Sequence, residues 1–354
     1  MNHLKQIAQK LEEYQLDAML ITSTPGERYA IGFLGEGYVL VGRQGCHYST
    51  DARYIEAAQK LVTGTDISLT SREHNHLALA AELIQKHGYQ RVGFEDGSVS
   101  VAQFNMLKEK LPCTLIPAQK LLDGLRASKD VEEQAVMKQA QNITDEAFDA
   151  ILQFIRPGMT EKQVAARLVY ELLNRGADKV SFDPIVAAGA NGSMPHAVPS
   201  DTVIEQGMFL TMDFGCIYQG YCSDMTRTIA IGTPTEEMKQ VYHIVLAAQE
   251  AGIAAAKAGI PGCELDAAAR QVITDAGYGQ YFSHSFGHSV GLEIHEVPNA
   301  HAKEQTILPV GTVISAEPGI YIPGRFGVRI EDVLILHETG CEDITHSPKH
   351  LIVL

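Results

Sequence analysis

Apolar and polar positions along this chain change period several times, and each change marks an element. LKQIAQKLEEY (Leu4 to Tyr14) spaces its apolar residues as a helix does and runs into the short apolar strand AMLITS. YVLVG and HYSTD read as extended, HLALAAELIQKHG as a helix stopped by Gly88, and RVGFED as another strand. This alternation predicts an α/β domain with a mixed sheet over residues 1–125.

Past Leu125 the helices lengthen and a second domain, residues 126–354, is expected. DVEEQAVMKQAQNITDEAFDAILQFI is a helix opened by Asp130 with Glu133 and closed by Pro157-Gly158. Thr160 with Gln163 caps the next helix, and Thr233-Pro234 with Glu236 caps a third through Gln249. The stretch FDPIVAAGANGSMPHAVPSD reads as a loop carrying His196.

Two hairpins follow the helices. GMFLTMDFG (Gly207 to Gly215) is answered by YCSDMTRTIAI (Tyr221 to Ile231), and a turn over Ile217-Tyr218-Gln219-Gly220 sets Asp213 directly opposite Asp224. Opposed side chains lie roughly 5 Å apart, where like charges repel by about 3 kcal/mol at an effective dielectric near 20. A cation between them relieves that repulsion. Downstream, Glu317 and Glu331 are symmetric about Gly324 in the turn Pro323-Gly324-Arg325. Gly207 and Gly311, Asp213 and Glu317, and Pro157 and Pro261 share one sequence offset, which suggests a duplicated helix-plus-hairpin unit. Helices on one face of a curved antiparallel sheet, with the other face free for a site, make this domain α+β.

Composition narrows the class. With 45% hydrophobic and 20% charged residues in 354, the chain is that of a globular protein with sizeable cores. A net charge of -15 argues against nucleic acid or anionic lipid as partner. No apolar run is long enough to cross a membrane, and no signal peptide is apparent at the start. Six cysteines without a CxxC pair fit a reducing cytoplasm and neither a zinc knuckle nor a disulfide framework. His74 and His76 at a helix start read as surface residues, and Gly35-Glu36-Gly37 falls short of a dinucleotide fingerprint.

FSHSFGHSVGLEIHEVP (Phe282 to Pro298) concentrates His284, His288 and His295. Within it, GHSVG matches the nucleophile elbow of serine hydrolases, but the context around Ser289 lacks the strand before and the helix after. Gly291 to His295 alternates as a strand would. Neutral imidazole at His288 would instead complete a carboxylate site. One nitrogen among oxygens, with no thiolate, suits manganese, cobalt or iron, with zinc admissible. Four carboxylates carry more charge than one divalent ion offsets, so two ions are expected.

Asp213, Asp224, His288, Glu317 and Glu331, in the contexts MDFG, SDMTRT, GHSVGLEIHE, EPGIY and GVRIED, resemble the five metal ligands of the M24 metallopeptidases. The resemblance covers residue 130 to the end, and the preceding domain is similar to the creatinase-type N-terminal domain of the proline-specific members. It implies a pita-bread fold with a dinuclear centre: Asp213 and Asp224 on one metal, His288 and Glu317 on the other, Asp224 and Glu331 bridging, and Glu317 assisting proton transfer. It further implies that His196 and His295 contact substrate and stabilise the tetrahedral intermediate, and that His284 and Arg329 belong to the substrate site.

The expected activity is hydrolysis of the bond between an N-terminal residue and proline, by a homodimer acting on dipeptides or short peptides. Xaa-Pro dipeptidase is favoured, with HExP at His295 to Pro298 as its mark, and an aminopeptidase P-like enzyme is the alternative. A non-catalytic peptide-binding domain would be marked by lost ligands, yet all five positions carry a competent side chain.

Overall fold

The computed structural model describes all 354 residues, and the chain divides into two units, Met1–Arg126 and Ala127–Leu354. In the first, the short apolar runs become β1 (Ala18–Ile21), β2 (Tyr38–Gly42), β3 (Gly45–Thr50), β4 (Asp66–Leu69), β5 (Arg91–Phe94) and β6 (Thr114–Pro117). They form one sheet in the order β4-β3-β2-β1-β5-β6. The sheet is mixed because β2 folds straight back onto β3 through a tight turn, whereas β1 reaches β5 in parallel through a long connection. The helices are α1 (Leu4–Lys10), α2 (Thr24–Ile31), α3 (Ile55–Leu61), α4 (His76–His87), α5 (Val101–Lys110) and α6 (Gln119–Arg126). Gly35 and Gly37 serve a local purpose: their N–H groups donate to the buried Glu27 carboxyl at 2.8 and 3.2 Å. His74 is exposed, and His76 shares a hydrogen bond with Ser49.

The second unit contains two similar halves. The first comprises α7 (Val131–Phe154), α8 (Glu161–Asn174), β7 (Lys179–Val180), β8 (Ile185–Ala188), β9 (Met208–Phe214), β10 (Cys216–Tyr218), β11 (Tyr221–Cys222) and β12 (Met225–Ile231). The second comprises α9 (Glu236–Ala255), α10 (Gly262–Asp275), β13 (Gly287–Ser289), β14 (Glu296–Ala300), β15 (Val313–Ala316), β16 (Gly319–Ile322), β17 (Phe326–Arg329), β18 (Asp332–His337) and β19 (Gly340–Asp343). In each half the apolar stripes of the helix pair bury themselves on that half's strands. Phe148 and Leu168 pack with Leu210 and Ile229, and Val245 and Leu265 pack with Ile314 and Leu334. Every ladder between the named strands of this unit is antiparallel.

Asp130 and Thr160 cap α7 and α8 with reciprocal bonds to Glu133 and Gln163. The cap of α9, however, is Thr235 rather than Thr233, and the helix continues past Gln249 to Ala255. That start brings Glu236 and Glu237 together into the first turn, where the helix dipole favours negative charge.

The first hairpin departs from the expected register. Its turn is Gln219-Gly220, both left-handed (φ 48° and 89°), the two-residue geometry that suits a twisted hairpin. Moving the turn centre by one residue moves every partner by two, so Asp213 faces Thr226 and not Asp224. A shift of two preserves the face, and Asp224 therefore still points to the same side. Asp224 sits in the break between β11 and β12, where Gln141 of α7 bonds both its N–H and its carbonyl in place of a ladder partner. The second hairpin holds the expected symmetry about Gly324. The same register runs through β16–β17 and β15–β18, with Glu317 and Glu331 in the gap between the two ladders.

Two further segments differ from expectation. Within the supposed loop of residues 182–201, IVAA forms β8 and pairs along β9. Residues 291–295 form a bend, and the strand begins only at Glu296. Local bonds compete with the ladder there: Gly291 N–H donates to Glu293 O, and Glu293 N–H to the Glu296 carboxyl.

Candidate metal centre

Three strand breaks, at Asp224, Glu317 and Glu331, together with Asp213 near the end of β9, bring the acidic residues to one place. Asp213, Asp224, His288, Glu317 and Glu331 line one cavity of about 450 Å³ with His196, His284, His295 and Arg329. Ligand atoms of Asp224, His288 and Glu331 lie within 4.8 Å of one another. Glu317 Oε1 is 3.3 Å from His288 Nε2, and Asp224 Oδ2 is 3.6 Å from it.

Each group is held in a defined state. His288 Nδ1 donates to Ser289 O at 3.2 Å, which leaves the Nε2 lone pair facing the carboxylates. Burial lowers the His288 pKa and keeps the ring neutral. Ser315 Oγ accepts from His288 N–H and donates to Glu317 Oε1, both at 3.0 Å. Asp213 Oδ2 accepts from Arg329, while Asp213 Oδ1 is buried without a partner.

Burial and then mutual repulsion push the carboxyl groups upward. Asp224 is raised well above the usual range by burial, then by Asp213 and Glu317; Glu331 is raised likewise by burial, then Asp224. Burial carries Glu317 to about 7, against the opposing pull of Arg329. Converging acids with raised pKa values, one orphaned carboxylate oxygen and one imidazole with its lone pair turned inward form a donor set that fits hard or borderline divalent cations.

His196 and His295 are exposed at the cavity, whereas His284 lies deeper. The His288 and His295 rings meet edge to face at 4.3 Å. His284 Nδ1 donates to Ser285 O, and its Nε2 accepts from Tyr321 OH at 2.8 Å. Burial, followed by the Arg329 charge, brings His284 down to about 3. Ser289 stands apart from this chemistry: it is fully buried, and its hydroxyl donates to Pro298 O.

Thr226 and Tyr321 join the site without standing out in the sequence. Arg329 donates to both, through Nε to Thr226 Oγ1 at 2.9 Å and through Nη1 to Tyr321 OH at 2.8 Å. The available signal was period-two spacing, since Thr226 follows Asp224 by two residues and Tyr321 follows Glu317 by four.

A carboxylate-rich centre with one imidazole, set between two related antiparallel halves, defines a metal-dependent hydrolase. The chain belongs to Metallopeptidase family M24, whose profile matches residues 135–338, and it has a Creatinase/Prolidase N-terminal domain, matched over residues 3–128. The second unit is thus a pita-bread domain. The chain is similar to a solved Xaa-Pro dipeptidase from Bacillus anthracis (42% identity, TM-score 0.96, 99% of each chain covered). It is similar to the X-Pro aminopeptidase from Thermotoga maritima (36% identity, TM-score 0.92, covering 98% of this chain and 100% of that one). The Xaa-Pro dipeptidase of Pyrococcus horikoshii is 36% identical over 353 residues, 99% of this chain and 98% of that protein.

Proposed function

We propose that the protein hydrolyses the Xaa-Pro bond of dipeptides, with two divalent ions held by Asp213, Asp224, His288, Glu317 and Glu331. The observation that carries this reading is the convergence of Asp224, His288 and Glu331 within 4.8 Å at a cavity shared with three more histidines. When bound, divalent ions supply a water of lowered pKa and polarise the scissile carbonyl. Manganese or cobalt suits the oxygen-rich donor set, with iron or zinc as further options.

The remaining steps belong to the side chains. Glu317 accepts the proton of the attacking water at a carboxylate oxygen and delivers it to the leaving proline nitrogen. His196 and His295 donate to the oxyanion that forms at the scissile carbonyl. His284 is held by Tyr321 in its neutral form, beside the substrate. Proline forms a tertiary amide without an N–H, so recognition here depends on ring shape and the free amine rather than on that hydrogen bond. A homodimer in a reducing cytoplasm completes the reading, on the strength of the family resemblance and of six cysteines that are all free.

One observation favours a second reading, removal of the residue before proline from longer peptides. Arg329 is the single Lys or Arg lining the cavity, and it donates to Thr226, Tyr321, Asp213 and Pro195 O. Little of that cation is left to pair with the free carboxylate of a dipeptide.

Ala-Pro and Ala-Pro-Ala, assayed with wild type and Asp224→Asn, test both readings. Turnover of Ala-Pro that disappears in Asp224→Asn together with bound metal is the expected result. Full activity in that variant ends the scheme, and cleavage of Ala-Pro-Ala alone moves the assignment to an aminopeptidase.

A further inference from the structure

His196 sits on an irregular segment between β8 and β9, and something must hold an exposed imidazole at the cavity. The segment leaves β8 at Ala188, passes through a 3-10 turn (Gly189–Ser193), carries His196 and returns past Ser200. Both of its ends meet at one side chain. Glu161, the first residue of α8, has no solvent exposure. Its Oε1 accepts from Ala188 N–H at 2.7 Å and from the Asn191 amide at 3.0 Å, at the outgoing end. Its Oε2 accepts from Ser200 N–H at 2.8 Å and from Ser200 Oγ at 2.7 Å, at the returning end.

We infer that Glu161 is a positioning residue that clamps the two ends of this segment and thereby sets where His196 meets the substrate. The inference rests on the proposed role of His196. Bonds between a buried carboxyl and main-chain N–H groups fix backbone more strictly than apolar contact does, because leaving those groups unpaired in the interior is costly. The N-terminus of α8 adds a favourable field for the carboxyl.

The other half of the domain uses the same device. Asp266 of α10, also fully buried, accepts from Phe286 N–H at 2.9 Å and from Arg270, which in turn donates to Phe282 O and His284 O. The second helix of each half therefore ties down the histidine-bearing segment of that half.

The test is a double-mutant cycle on the manganese-loaded full chain with Ala-Pro as substrate, read alongside amide hydrogen exchange. Glu161→Gln presents an amide to donors that need an acceptor. It should lower kcat/KM about tenfold or more while metal content stays at the wild-type level. Exchange across residues 188–200 should quicken. In the His196→Ala background the same substitution should cost nothing further, because a clamp matters only through the group it places. Losses that multiply, or unchanged exchange, overturn the proposal. A wild-type rate for His196→Ala overturns it too, together with the assigned role of His196. Wild-type turnover of Ala-Pro in the same assay checks the peptidase reading separately. Should Glu161→Gln fail to fold, Ser200→Ala and Asn191→Ala remove donors singly, and each should show a loss of about threefold that vanishes without His196.

Discussion

Thr226 Oγ1 lies 2.7 Å from Glu331 Oε2, and it is the Thr226 proton that bridges them. The same hydroxyl oxygen accepts from Arg329 Nε at 2.9 Å, and toward the Glu331 carboxylate, an acceptor when ionised, it is the donor. Thr226 thus holds one oxygen of Glu331 and leaves the other for the cation proposed at this site. Thr226→Val keeps shape and strand preference but removes the hydroxyl, and should weaken manganese binding about 10–100-fold. Thr226→Ser should stay within a few-fold of wild type. Calorimetric titration of chelator-treated protein decides, and wild-type affinity in the valine variant would refute the role.

Removing the metal should reverse the usual pH trend of stability. Asp224, Glu317 and Glu331 have raised pKa values in the folded, cation-free protein. The folded state then binds these protons more tightly than the unfolded chain, where carboxyl groups titrate near 4. Their contribution is fully present below that unfolded value and is lost as pH rises through the folded values, about 7 for Glu317. The slope is about 1.4 kcal/mol per pH unit for each proton in that window. Chelated protein should therefore melt higher at pH 5.5 than at pH 8, and Glu331→Gln should flatten the dependence. A melting temperature that climbs with pH in the chelated wild type contradicts the argument.

The sequence shows those parts of the fold whose rules are local. The reciprocal caps Asp130/Glu133 and Thr160/Gln163 depend on three-residue spacing alone, and both form. The Gly324 turn is legible because a glycine stands at its left-handed position. The first hairpin is less so, because its turn places Gln219 at positive φ, and nothing in a glutamine announces that. The strand at Ile185–Ala188 is hidden because four apolar residues between Pro184 and Gly189 have no period to read. At the centre, acids and histidines stand out as chemistry-bearing types. Thr226, Tyr321 and Glu161 act through the partner that tertiary structure places opposite them, and a hydroxyl or a helix-start glutamate does not disclose that partner.

Arg227 is the largest side chain with almost no exposure, and its guanidinium donates to Asp332 Oδ1 at 2.7 Å and to the carbonyls of Glu331, Ser347 and Pro348. Asp332 is fully buried, and its other oxygen accepts from Lys349 and Gln249. Removing Arg227 leaves Asp332 with Lys349 as its one remaining cation and takes the donor from the Glu331, Ser347 and Pro348 carbonyls, and breaking a buried pair of this kind costs about 3–5 kcal/mol. Arg227→Met should lose that much in urea unfolding of the metal-loaded protein. Lys349→Met should lose less, because Lys349 keeps partial contact with water. Equal losses from the two substitutions would mean that Arg227 adds nothing beyond a surface partner.

Gly327 in β17 and Gly192 in the His196 segment approach so closely that a Cβ at Gly327 would overlap the Gly192 carbonyl. The clash is with backbone, so no side-chain rotation relieves it, and the segment must move away from β17. Gly324 N–H also donates to Ser193 Oγ at 3.2 Å, which leaves that segment little freedom to yield without carrying His196 along. Misplacing a reacting group by about 1 Å can cost a hundredfold in rate. Gly327→Ala should therefore depress kcat/KM for Ala-Pro by about tenfold to a hundredfold with metal content intact. Gly340→Ala is the matched control, because a Cβ there meets open space at ordinary backbone angles. Equal activity in the two variants would show that the β17 contact does not set the position of His196.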